Sequence, residues 1–89
     1  MIKYLISASH EPDQCIQVLD AELAKGADVL DRFVYGCREG DHTAYAVVDV
    51  ANKSEALALV PDFLQDNACI TRVDKFTPAD IKTLHAKAA

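Results

Sequence analysis

Two runs rich in valine and aromatic residues, Val29 to Cys37 and His42 to Val50, are separated only by Arg38-Glu39-Gly40-Asp41. A four-residue connection containing glycine leaves such runs little alternative to an antiparallel hairpin. The rest of the chain is arranged symmetrically about it. Ile2 to Ser9 reads as a strand, and Glu11-Pro12 then opens a helix, because proline suits the first helical position and keeps its predecessor extended. Cys15, Ile16, Leu19 and Leu23 recur at helical spacing and predict its buried stripe, with Gly26 as the stop. After the hairpin, Asn52-x-x-Glu55 has the form of a capping box, and Pro61 should break or restart the helix that follows. Ala68 to Phe76 reads as the last strand, and Thr77-Pro78-Ala79-Asp80 starts a terminal helix carrying Ile81 and Leu84.

The predicted order is βαββαβ with an added C-terminal helix. Element order and element length over residues 1–89 resemble the ferredoxin-like split βαβ arrangement, and among its members the small dimeric α+β barrel proteins. That resemblance implies one α+β domain with a four-stranded antiparallel sheet of order 4-1-3-2 and helices on one face. The opposite face would then carry Leu5, Tyr45 and Val47 among polar residues, which implies a homodimer formed through the sheets.

Composition narrows the function classes. At 89 residues, 51% hydrophobic and 26% charged, the chain is an ordinary globular sequence with a modest core. A net charge of −5 opposes phosphate backbones and anionic membranes, so no nucleic-acid or membrane partner is expected. Met1-Ile2-Lys3-Tyr4-Leu5-Ile6 is too short for an export signal, and a cytoplasmic location is the expectation. Three widely spaced cysteines do not read as a disulfide framework but as reduced thiols.

With the strand directions implied by the resemblance, all three cysteines and two of the three histidines come to one end of the sheet. His10 leaves strand 1, Cys37 ends strand 2, His42 begins strand 3 and Cys69 begins strand 4, on strands roughly 4.8 Å apart. Cys15 stands above them in the first helix. His10-x₄-Cys15 and Cys37-x₄-His42 are two local pairs sharing that rim, and thiolate with imidazole is the donor set preferred by Zn, Ni, Cu or Fe(II). Candidate metal ligands are therefore His10, Cys15, Cys37 and His42. Cys69 is one residue out of phase with Ile70 and is not counted among them. The plainer alternative treats Cys15 and Cys69 as small buried hydrophobes and the histidines as loop residues. Cys15 in a first helical turn beside a histidine is also a candidate reactive thiol. His85, four residues after Ile81, reads as a partly buried histidine.

Other chemistries of this fold leave less trace. A copper-chaperone type needs paired cysteines after strand 1, where Ser9-His10-Glu11-Pro12 has none. An RNA-recognition type needs a basic third strand with several stacking aromatics, and His42 to Val47 supplies one tyrosine and no arginine. Asp49, alternating with Val48 and Val50, reads as solvent-facing, and Asp41 as a turn residue able to orient His42. No cofactor motif or complete catalytic constellation is present. The expected function is a small homodimeric protein binding a transition metal or small ligand. The alternative is a dimeric α+β barrel enzyme of isomerase or monooxygenase type, with His10 or His42 as acid or base and Tyr4 or Tyr45 shaping its cavity.

Overall fold

The computed structural model describes residues 1–88. Strand β1 (Ile2–Ser9) runs into a 3₁₀ turn at Pro12–Gln14, where the Glu11 side chain accepts from the Gln14 backbone and Gln14 Oε1 accepts from Glu11 N at 2.9 Å. This reciprocal box starts the 3₁₀ turn where the Glu-Pro pair predicts a helix, and α1 (Cys15–Lys25) follows directly from it, three residues later than that pair implies. A short helix α2 (Ala27–Arg32) and a two-residue strand β2 (Val34–Tyr35) follow, then a 3₁₀ turn at Cys37–Glu39 and strand β3 (Thr43–Val50). Helix α3 (Lys53–Leu57) is capped by Asn52 Oδ1, which accepts from Glu55 N at 2.9 Å. Pro61 restarts the chain as a 3₁₀ helix over Asp62–Asn67, ahead of β4 (Ala68–Arg72) and α4 (Pro78–Ala88).

The sheet is four-stranded and antiparallel throughout, in the order β2-β3-β1-β4, which read from the other edge is 4-1-3-2. Period-two alternation divides its residues between two faces. Tyr4, Ile6 and Ala8 of β1 and Ala44, Ala46, Val48 and Val50 of β3 are buried, packed beneath Val18, Val29, Phe33, Ala56, Val60 and Leu64. Leu5, Tyr45, Val47 and Cys69 lie in the opposite phase, on a face that no helix among the described residues covers. Asp49 is on that open face as expected, 3.1 Å from Lys3 Nζ.

Three expectations are corrected. The run from Val29 is not a strand until Val34: Gly26, at φ +141°, turns the chain so that its carbonyl accepts from Val29 N and Leu30 N at 3.1 Å each, nucleating α2. Val29 and Phe33 are both buried, and their spacing of four is helical rather than strand-like. The buried side of α1 is also rotated from the predicted stripe. Val18 and Glu22 face the core, whereas Ile16, Leu19 and Leu23 are exposed. Finally, β4 ends at Arg72, with Val73 N donating once more to Lys3 O, and Asp74 to Phe76 leave the sheet.

Glu22 is 1% exposed, and neither carboxylate oxygen has a hydrogen-bond partner among the described residues. Burial pushes its pKa up to about 7, against the opposing pull of Lys25. The folded chain therefore holds a proton that the unfolded chain releases above its ordinary pKa of 4.5, and stability from this group falls as pH rises from there to about 7. The stability difference between Glu22→Gln and wild type should therefore grow in favour of the variant across that interval, by on the order of 1–3 kcal/mol, and level off above it. Urea melts of both proteins at a series of pH values check this, and a pH-independent difference would contradict a buried neutral Glu22.

Candidate metal centre

The site is built at the end of the strands where β1 stops and β3 starts. Their ladder closes with Ser9 opposite Thr43, and one further bond, His10 N to His42 O at 2.9 Å, carries the pairing beyond both strands. His10 and His42 continue the even phase of Ala8 and Ala44 and so turn to the helix-covered side. Their rings meet edge to face with centroids 5.8 Å apart. Cys15, the first residue of α1, comes down on them from above. Cys37 is presented by the 3₁₀ turn after β2, whose fold depends on Gly36: Gly36 O accepts from Glu39 N and Asp41 N at 3.0 Å each, and Gly36 N donates to Thr43 O. A Cβ at Gly36 would sit 2.8 Å from Asp41 O and 2.9 Å from Asp41 Cβ.

The four side chains converge. Cys15 Sγ is 3.4 Å from His10 Nε2, 3.3 Å from His42 Nδ1 and 3.5 Å from Cys37 Sγ, and Cys37 Sγ is 3.3 Å from His10 Nε2. All four ligand atoms lie within 4.8 Å of one another. Cys15 is the hub, touching each of the other three. His10 is buried, and the others are half-buried.

The electrostatics favour the neutral form of His10. Burial, and then the neighbouring His42, hold the pKa of His10 below its ordinary value. Burial and the adjacent Cys15, whose sulfur is 3.5 Å away, push the Cys37 thiol up. His10 Nδ1, turned away from the cluster, is buried without a partner among the described residues, as is Tyr35 Oη. A cavity of about 330 Å³ lined by Cys15, Leu19, Tyr35, Cys37 and Arg38 reaches both thiols from the surface.

Of the residues singled out in the sequence, His10, Cys15, Cys37 and His42 are thus brought together, and the remaining ones are not. Cys69 is exposed on the open face of the sheet, opposite Ser7, because it lies in the odd phase. His85 is exposed on α4 and does not return to the rim. Asp41 accepts from Tyr45 Oη at 2.6 Å rather than orienting His42, and that hydroxyl is the main cause of its lowered pKa. Neither Tyr4, in the core, nor Tyr45, on the open face, lines the cavity beside the cluster; Tyr35 does. Tyr35 and Glu22 were not singled out in the sequence, though a lone glutamate on the buried side of α1 would have marked itself once Val18 rather than Leu19 was taken as that side.

Comparison with protein-family models, curated proteins and solved structures returns no match for this chain. Among the described residues no helix is long and apolar enough to cross a membrane. What fold and site define is a small α+β chain with a His₂Cys₂ cluster positioned to hold a metal ion.

The Gly36 turn gives a test of how the fold presents Cys37. Gly36→Ala must move the Asp41 backbone, and with it the segment between Cys37 and His42, while leaving every ligand present. Zinc affinity measured by competition with a chromogenic chelator should fall on the order of 10-fold, as for other groups that orient ligands from behind, with the fold retained by circular dichroism.

Proposed function

We propose that this chain is a transition-metal-binding protein of ferredoxin-like topology, holding zinc(II) through His10 Nε2, Cys15 Sγ, Cys37 Sγ and His42 Nδ1. The observation that carries the reading is the set of distances between the donors. Zinc bonds of about 2.0–2.1 Å to nitrogen and 2.3 Å to sulfur give tetrahedral edges of about 3.3–3.8 Å. Four of the six edges of this cluster measure 3.3–3.5 Å. Tetrahedral S₂N₂ selects zinc over the octahedral oxygen-loving ions and over the tetragonal preference of Cu(II) and Ni(II).

Four protein donors make a closed set, whereas a catalytic zinc keeps a position for water. The proposal is accordingly for binding rather than hydrolysis, with the cavity at Cys15 and Cys37 as the route for the ion. Two free thiols 3.5 Å apart suit a reducing compartment, and the protein is assigned to the cytoplasm.

Cobalt(II) reports this geometry directly, because tetrahedral thiolate coordination gives intense visible absorption that octahedral cobalt lacks. One equivalent of cobalt should develop that spectrum, and zinc should abolish it. Zinc should also raise the melting temperature, since an ion that binds only the folded state stabilises it by mass action. The rise should shrink as pH falls below the ordinary histidine value of ~6.5, the direction in which burial displaces His10, because protons then compete for the ligands. Cys15→Ser, which removes the hub, and His42→Ala should each lose most of the rise. An equal rise in wild type and both variants would place the bound ion elsewhere.

A further inference from the structure

We infer that α4 is an exchanged arm: in a homodimer, α4 of each protomer lies across the open sheet face of the other. This inference is independent of the metal reading.

The first observation is shape. A chain of 89 residues packed as one globule has a radius of gyration of roughly 12 Å. This one measures 15.9 Å and extends 52 × 28 × 22 Å. Its solvent-accessible surface is 6129 Å². A compact monomer of its mass exposes roughly 5,100 Å², so the chain shows on the order of 1,000 Å² too much. That excess matches the area of about 800 Å² that each partner contributes to a stable interface of standard size.

The second is where the excess lies. Every residue of α4 is exposed, and Phe76, Ile81 and Leu84 present apolar surface at and beside it. The helix has a strong start, with Thr77 Oγ1 accepting from Asp80 N and Asp80 Oδ2 accepting from Thr77 N. Yet 11 residues, roughly 16 Å of helix, are marginal in water without packing. Among the described residues, no residue of α4 is buried against its own chain.

The third is complementarity. Leu5, Tyr45 and the exposed Val47 form an apolar strip on the uncovered face of the sheet. Phe76, Ile81 and Leu84 on and beside the arm are the apolar counterpart of that strip. A twofold exchange pairs strip and arm twice, satisfies both, and closes without leaving a surface to polymerise.

Light scattering on the purified chain, without added metal, should return twice the 9.7 kDa protomer mass at micromolar concentration. Ile81→Glu with Leu84→Glu should weaken the dimer at least tenfold, with an unchanged circular-dichroism melt of the monomer. The direction of docking is read separately. Cys69 lies on the open face, so Leu84→Cys bridged to Cys69 by a short bismaleimide should run as a covalent dimer on a denaturing gel. A monomeric wild type, a dimer indifferent to the two glutamates, or a bridge formed only within one chain would each overturn the inference.

Discussion

The pairing of β1 with β3 is the constraint on which the rest of the structure depends. Eight consecutive residue pairs, from Ile2 opposite Val50 to Ser9 opposite Thr43, settle which side chains go under the helices and which do not. A shift of one residue would invert both faces at once. It would also turn His10 and His42 away from α1, because the final bond between His10 N and His42 O inherits the register of the ladder. Core and candidate site are thus one decision, taken in the two central strands.

The sequence made some of this legible and hid the rest for identifiable reasons. Local signals that involve few residues survive intact: the Glu11-Pro12 start, the Asn52 cap, the Pro61 restart and the Thr77–Asp80 cap all appear where expected. The central strands are equally clear, because their alternation is long and regular. The edge strand is not. Val29 to Tyr35 has residues that suit either state, and the decision is made by Gly26, whose positive φ orients a carbonyl to start α2. The orientation of α1 was hidden for another reason. Its exposed stripe, Ile16, Leu19 and Leu23, is more apolar than its buried one, which includes Glu22. A hydrophobic pattern then points to the wrong side, and only the sheet beneath decides.

That the four side chains of the cluster share one rim was legible in the sequence. His10 and His42 follow from strand phase, Cys15 from the helix start and Cys37 from the hairpin. What no pattern supplied was the central position of Cys15, the first residue of α1, whose Sγ lies within 3.5 Å of a donor atom of each of the other three. Nor did it supply the polar atoms left without partners nearby, His10 Nδ1, Tyr35 Oη and both oxygens of Glu22. A ligating imidazole is fixed in one tautomer when its other ring nitrogen donates to an acceptor, and among the described residues His10 Nδ1 has no such acceptor.

The two thiols come from segments joined by a long stretch of chain, and their proximity has a topological meaning. Between Cys15 and Cys37 lie 21 residues, comprising the rest of α1, all of α2 and the edge strand. Whatever links these two sulfurs closes that stretch into a ring. In the disordered chain such a ring forgoes roughly 2–3 kcal/mol of configurational freedom. The ring contains the elements least determined by the sequence, so a link at the rim would fasten the part of the molecule whose local signals are weakest.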